Sequence, residues 1–221
     1  RRGFNYERGF SGFEWIRGQE NDAHFTEPPD ISIPFSLDKM RSNLESFNTH
    51  SRNTAHRVQE ADHFCPKTFR AAAEWLERNH TNGPFCLVVD TFDPHEPWDP
   101  PAEFDTYTDP AYSGPRLIMP MGGQAKDWAT PEQIRFIRGL YAGEVSAVDD
   151  ALGQVFETLE EEGYYDDSIV VLLGDHDHPL ADGQVAGNLQ LGVAFHFHQA
   201  DPAVAGDREP GVIAVARDED P

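Results

Sequence analysis

The chain has 221 residues, of which 17 are Lys or Arg and 39 are Asp or Glu, and its formal net charge is −22. This acidic excess argues against nucleic acids and anionic membrane surfaces as partners, because both are bound by clustered cationic side chains. No apolar run has the length of a membrane span, and the presence of only two cysteines, Cys65 and Cys86, excludes a disulfide framework.

The first sixty residues are rich in aromatic residues, polar residues and proline, and they show little periodicity. We expect them to form a loop-rich layer with short pieces of regular structure. The chain opens with RRGFNYERGF and has no initiator Met. We therefore expect an N-terminal part of the protein to precede residue 1.

Residues 60–91 predict a helix followed by a buried strand. Apolar residues recur at helical spacing over residues 60–79, with Pro66 near the start. An Asn-Gly-Pro turn at residues 82–84 ends this pattern, and the apolar run Phe85–Thr91 predicts a buried strand. A helix that leads into a short apolar strand is half of an α/β crossover unit.

A second helix and strand follow a Pro- and Gly-rich stretch over residues 99–130. Thr130, Pro131 and Gln133 form a capping box with proline at the first helical position. Apolar residues then recur at steps of three and four as far as Gly163, a C-terminal cap. The apolar run at residues 169–173 predicts a strand, which leads directly to an Asp-His pair.

Aspartate and histidine follow both predicted strands: Asp93 and His95 after the first, and Asp175 and His176 after the second. In an α/β sheet, a site lies along the edge where the strands end. Oxygen and imidazole donors together suit a divalent cation. The residues alone therefore indicate a metal-dependent hydrolase of an anionic ester, while an α/β domain with no site, in which these pairs only form turns, stays an open alternative.

Three segments, in this order and spacing, resemble the sulfatase family within the alkaline-phosphatase-like superfamily. They are RGFSGFEWIRGQEND, PFCLVVDTFDPHEPWDPP, and a helix with IRGLYAGEVSAVDD that leads to a strand ending LLGDHDH. The similarity covers residues 3–180. It implies an α/β fold with a mixed, largely parallel central sheet flanked by helices, of which this chain holds an incomplete version.

The resemblance also implies a chemistry. In the family, a formylglycine made from Cys or Ser in a Cys/Ser-x-Pro-x-Arg motif attacks the sulfur of a sulfate ester. A divalent metal, commonly Ca²⁺ with Mg²⁺ or Mn²⁺ as alternatives, holds the sulfate and the aldehyde hydrate. Histidine and lysine residues neutralise the transferred group and assist the leaving alcohol.

The resemblance implies roles for individual residues of this chain, at the positions that match the family motifs. Asp175 and His176 match the late metal-binding pair, and His95 matches the catalytic histidine that contacts the sulfate and the leaving group. His178 is a weaker substrate-binding candidate. Asp93 and Glu96 are weaker candidates as residues that support the site. Pro94 and Pro97 would stiffen the loop that carries His95, and for Trp98 packing is the preferred interpretation.

The chain departs from the family pattern in three places. It has no Cys/Ser-x-Pro-x-Arg motif and no early Asp-Asp metal pair, and Ala-Gly-Asn at residues 186–188 stands where the family usually has a lysine after glycine. We therefore predict a partial sulfatase catalytic domain over residues 1–180 and a divergent or irregular tail over 181–221. The chain alone should be inactive, with the nucleophile in the part that precedes it.

Two other functions remain open. A phosphonate monoester or phosphodiester hydrolase of the same superfamily shares the nucleophile and the metal, and histidine rather than asparagine at position 176 leans slightly towards it. A degenerate, non-catalytic relative is favoured modestly by the missing lysine. The predicted partner is a small sulfate, phosphate or phosphonate ester. The sequence leaves the substrate, the oligomeric state and the localisation open.

Overall fold

The computed structural model describes residues 7–19, 22–27, 37–41, 43–174, 191–197 and 211–215, the last two ranges as backbone. Three α-helices are present in these residues: α1 (Leu44–Thr54), α2 (Phe64–Asn79) and α3 (Pro131–Glu161). Five strands accompany them: β1 (Gly12–Glu14), β2 (Phe85–Thr91), β3 (Ser168–Gly174), β4 (Leu191–Phe197) and β5 (Gly211–Val215). None of the described helices is long and apolar enough to cross a membrane.

The described strands form one sheet in the order β1-β5-β2-β4-β3. β5 pairs in parallel with both β1 and β2, whereas β4 runs antiparallel to β2 and to β3. Four of the five described strands therefore point the same way, and β4 alone among them is reversed. This confirms the predicted fold class, a mixed and largely parallel sheet with helices packed against it.

The main core lies between β2 and the helices α2 and α3. Along β2, buried and half-buried side chains alternate, as expected for a strand with one face on the core. Phe85, Leu87 and Val89 face a cluster that includes Leu76 of α2 and Val155 of α3. The edge strand β3 contributes less, since several of its apolar side chains stay half exposed or more (Ile169, Leu172 and Leu173).

The predicted strand 85–91 and the predicted long helix are confirmed. Both hydrogen bonds of the capping box are present: Gln133 N–H donates to the Thr130 hydroxyl, and Thr130 N–H donates to the Gln133 side chain. Beyond the end of α3, Gly163 adopts the left-handed conformation with φ of 74°, which glycine enters without strain. Helix α2, the first of the two predicted helices, begins at Phe64. Pro66 therefore lies in its first turn, where proline is tolerated.

Helix α1 lies inside the stretch that was predicted to be loop-rich. Its N-cap is Asn43, whose side chain accepts a hydrogen bond from Ser46 N–H. The buried positions are Phe47, Thr49, His50 and Asn53, and three of these four are polar. Apolar periodicity therefore could not reveal this helix, because its inward face is held mainly by hydrogen bonds.

The strands β4 and β5 lie within residues 181–221, the stretch that the sequence predicted to be a divergent or irregular tail. Their backbones pair with β2 on either side, Phe85 opposite Phe197 of β4 and opposite Gly211 of β5. Two strands from this stretch thus belong to the central sheet. The proposed domain boundary at residue 180 stays a prediction.

A second core lies under the Pro- and Gly-rich stretch that precedes α3. Trp98 and Leu117 pack against Ile137 and Leu140 of α3 in this cluster. The stretch approaches α3 closely at two glycines. A Cβ on Gly139 would lie 2.8 Å from the carbonyl oxygen of Tyr107, and one on Gly143 would lie 2.8 Å from that of Phe104. These glycines therefore permit backbone contact between the loop and the helix.

Gly143→Ala is expected to lower the free energy of unfolding by about 1–3 kcal/mol, because the added methyl group overlaps packed backbone. Gly153→Ala on the same helix is the control, since nothing lies within 4 Å of a Cβ at that position. There alanine should be neutral or stabilising by up to about 1 kcal/mol. Urea unfolding followed by circular dichroism measures both, and equal stability of the two variants would contradict the close approach.

Candidate active site

The strands β2 and β3 end at the same edge of the sheet and at the same level. Thr91, the last residue of β2, pairs with Leu191 of β4, and Gly174, the last residue of β3, pairs with that same Leu191 from the other side. Since neighbouring strands are about 4.8 Å apart, the two ends are about 10 Å apart. The last residues of β2 and β3 therefore lie on either side of the first residue of β4, at one edge of the sheet.

Three of the predicted site residues lie outside the described residues: Asp175, His176 and His178. Their roles as metal ligands and as a substrate contact stay predictions. In the described part of the chain, no three His, Cys, Asp or Glu side chains are close enough together to hold a metal ion.

His95 is held in a buried loop directly after β2. The residue is 8% exposed, and its backbone N–H donates to the Phe92 carbonyl at 3.0 Å. The imidazole lies against the Phe92 ring, with 4.0 Å between the ring centres. Nδ1 is 2.5 Å from the carbonyl oxygen of Glu96. Contacts on a ring face and on a ring nitrogen together fix the orientation of the imidazole.

Two acidic side chains connect this loop to other parts of the fold. Asp93 Oδ2 accepts a hydrogen bond of 3.1 Å from the backbone N–H of Cys65, in the first turn of α2. Glu96 is 4% exposed, and its Oε1 accepts a hydrogen bond from Arg41. Both residues were weaker candidates from the sequence, and both contacts support the loop that carries His95.

Asp99 connects the far end of the loop to α1 and to the turn after it. Its Oδ2 lies 3.2 Å from His50 Nε2 and accepts a hydrogen bond of 3.1 Å from Arg57 Nη1. Burial raises the pKa of a carboxyl, but the charges of His50 and Arg57 outweigh burial here and lower the pKa of Asp99. The sequence gave no sign of the two partners of Asp99.

Trp98 is a packing residue, as the sequence predicted. It is 1% exposed, its indole N–H donates to the Pro94 carbonyl at 2.9 Å, and its backbone N–H donates to the Ile118 carbonyl at 2.7 Å. The indole ring also meets Tyr141 of α3 edge to face. Trp98 therefore links the loop internally through Pro94 and packs the loop against α3.

Behind the loop lies an acidic cluster formed by Asp93, Asp99 and Glu144 of α3, together with Arg57. Burial raises the pKa of Glu144 well above its usual range, and the charges of Asp93 and Asp99 raise it further. Burial also raises the pKa of Asp93, against the opposing effect of Arg57. Because burial and two neighbouring carboxylates all disfavour its negative charge, the protonated form is favoured at Glu144.

Neither cysteine is a suitable nucleophile in this position. Burial raises the pKa of the Cys65 thiol, and the charge of Asp93 raises it further, so the reactive thiolate is disfavoured. Cys86 lies within β2. This agrees with the absence of a Cys/Ser-x-Pro-x-Arg motif around either residue.

The described part of the family-like segment, residues 15–19 and Asp22, is held by packing and hydrogen bonds. Asp22 is 2% exposed and accepts two hydrogen bonds from the Arg17 guanidinium, at 2.6 and 2.7 Å, and one from Gly18 N–H. Asn53 of α1 donates to the carbonyls of Gly18 and Asp22 at 2.8 Å. The family-like segment thus docks on α1, consistent with packing as its main role.

His63→Gln is expected to reduce the loss of stability on acidification. Burial and the nearby charge of Arg57 lower the pKa of His63 from 6.5 to about 4. As the pH falls through this window, the unfolded chain takes up a proton at His63 and the folded chain does not, so the folded state loses stability. Above pH 6.5 the ring is neutral in both states and contributes no such loss.

Thermal unfolding between pH 7 and about 4 measures this effect. His80→Gln is the control, because the His80 side chain is 47% exposed. The stability of the His63 variant should fall less steeply with decreasing pH than that of the parent or the control. Parallel curves of stability against pH for the parent and both variants would show that the pKa of His63 is not lowered in the folded state.

Comparison with known proteins gives relatives of limited coverage. The multifunctional alkaline phosphatase superfamily protein PehA of Trinickia caryophylli is 37% identical over 57 residues, which are 26% of this chain and 11% of that protein. The crystal structure of Ps i-CgsB shares 19% identity and a TM-score of 0.37, over 68% of this chain and 30% of that one. A complex of Ps i-CgsB with k-i-k-neocarrahexaose gives a TM-score of 0.35.

The chain thus spans about a tenth of the length of the curated relative and under a third of that of the solved structures. Both TM-scores are too low to indicate a shared fold. The family comparison is broader, since the model of the family described as Sulfatase matches residues 3–219. This match covers nearly the whole sequence, and the chain belongs to the sulfatase family.

Proposed function

We propose that this chain is part of a metal-dependent hydrolase that cleaves sulfate esters by a formylglycine mechanism. His95 would act on the sulfate and leaving-group side, and Asp175 and His176 would bind the metal. The observation that carries this proposal is the shared level of the two strand ends, with Thr91 and Gly174 both opposite Leu191. It supports a common site for the segments that follow them.

The chemistry of the donors supports a divalent cation. Asp175 offers carboxylate oxygens and His176 an imidazole nitrogen, directly after the end of β3. Oxygen-rich donor sets suit Ca²⁺, and Mg²⁺ and Mn²⁺ are alternatives. When bound, the cation would hold the charged ester oxygens and offset their negative charge. We also propose His178 as a contact to the substrate. It is a weaker candidate than His95, Asp175 and His176.

The residues of this chain would have separate tasks. The buried, oriented imidazole of His95 would donate a hydrogen bond or a proton to the leaving oxygen. Asp93, Glu96 and Asp99 would keep the His95 loop in place. The nucleophile is not among these 221 residues, since the Cys/Ser-x-Pro-x-Arg motif is absent. We therefore propose that the chain alone does not turn over sulfate esters.

Hydrolysis of phosphonate monoesters or phosphodiesters is the second candidate function. One observation favours it: position 176 is histidine rather than asparagine. The lack of a lysine near residues 186–188 instead favours a non-catalytic relative. Measurements of metal binding and anion binding distinguish a sulfatase, a phosphonate or phosphodiester hydrolase and a non-catalytic relative.

Asp175→Asn is expected to weaken Ca²⁺ binding by at least about tenfold, because it removes a charged oxygen ligand. Isothermal titration of the whole chain with Ca²⁺ measures the affinity. Asp166→Asn is the matched control, since Asp166 is an exposed carboxylate on the turn before β3. Equal loss in both variants, or no loss in the Asp175 variant, would contradict the proposed metal site.

The choice between ester classes is tested by anion binding in the presence of Ca²⁺. The ring ¹⁵N signals of His95 should shift on addition of sulfate, with weaker effects from methylphosphonate and from dimethyl phosphate. Stronger binding of either of the last two would favour the alternative hydrolase, and no response of His95 to any anion would favour a non-catalytic relative. Turnover of an aryl sulfate by the chain alone would overturn the assignment of the nucleophile.

A further inference from the structure

The surroundings of His95 Nδ1 determine where the hydrogen of the ring lies. Nδ1 is 2.5 Å from the Glu96 carbonyl oxygen and 3.4 Å from Glu96 Oε2. Both neighbours are hydrogen-bond acceptors, so Nδ1 must be the donor. In the neutral ring, Nε2 is then the basic nitrogen, and in the charged ring it carries the second hydrogen.

The carboxylate of Glu96 lies between the Arg41 guanidinium and the His95 imidazole. Its Oε1 accepts from the Arg41 guanidinium, and its Oε2 faces the imidazole of His95. The Glu96 side chain is 4% exposed and that of His95 is 10% exposed, whereas that of Arg41 is 40% exposed. Water therefore screens the contact with His95 poorly, and the negative charge of Glu96 stabilises the charged imidazole.

We propose that Glu96 is the positioning residue for His95: it keeps the hydrogen on Nδ1 and favours the doubly protonated ring, so that Nε2 presents a proton to the leaving oxygen. Arg41 opposes this effect, because its positive charge competes for the same carboxylate. The proposal rests on the proposed function for its catalytic meaning. The hydrogen position and the charge of the ring are properties of the chain itself.

The fold contains a matched pair for comparison. His80 Nδ1 lies 2.8 Å from the Glu77 carbonyl oxygen and 3.4 Å from Glu162 Oε2, almost the same arrangement as at His95. The side chains of His80 and Glu162 are 47% and 31% exposed. Solvent screens this second pair, so its carboxylate should affect the ring much less.

The experiment measures the ¹⁵N shifts of both ring nitrogens in the whole chain, labelled at histidine, at one pH near neutrality. In the parent, the neutral form of His95 should carry its hydrogen on Nδ1. Glu96→Gln should lower the ratio of charged to neutral His95 by about tenfold. The control Glu162→Gln should lower the ratio at His80 by about twofold or less.

Arg41→Met provides a change of opposite sign. It removes the competing cation at a side chain that is 40% exposed, and it should raise the charged fraction of His95. A neutral ring with its hydrogen on Nε2 would overturn the proposal, as would a charge ratio that Glu96→Gln leaves unchanged. None of these readings depends on turnover, so failure of the proposed function and failure of this proposal are observed separately.

Discussion

The structure around His95 depends on one arrangement, the attachment of a single loop by its acidic side chains. Asp93 accepts a hydrogen bond from the first turn of α2, and Glu96 accepts one from Arg41. Asp99 contacts His50 and Arg57. Each contact joins the loop to a different part of the chain. Trp98 closes the loop from inside, through its bonds to Pro94 and Ile118. The position of His95 is therefore set by tertiary contacts and not only by the prolines beside it.

This attachment places several acidic groups close together. Asp93, Asp99 and Glu144 lie behind the loop with Arg57, and burial raises the pKa of Asp93 and of Glu144. Such a cluster costs stability when its carboxyls ionise. The same acidic side chains also attach the loop to α2 and to Arg57. The cost and the benefit both follow from the same residues.

Helices α2 and α3 and strands β2 and β3 could be predicted from the sequence, because the patterns that specify them lie within short stretches of the chain. The capping box of Thr130 and Gln133 and the apolar run of β2 each specify an element without reference to distant residues. Helix α1 and the partners of Asp99 were missed for the opposite reason: their buried side chains are polar, and their contacts join residues far apart in the chain. Strands β4 and β5 were not anticipated either, and pairing with β2 is what defines them in the structure.

We expect the loop from Phe92 to Asp99 to be rigid, so that His95 is positioned before any substrate binds. Amide hydrogen exchange of the whole chain tests it most directly, at the backbone N–H groups of His95 and Trp98, which donate to Phe92 and Ile118. Both amides should exchange within about tenfold of the amides of β2, as expected for a loop that opens only with the core. Exchange as fast as at the amide of Asp109, an exposed residue, would contradict this expectation.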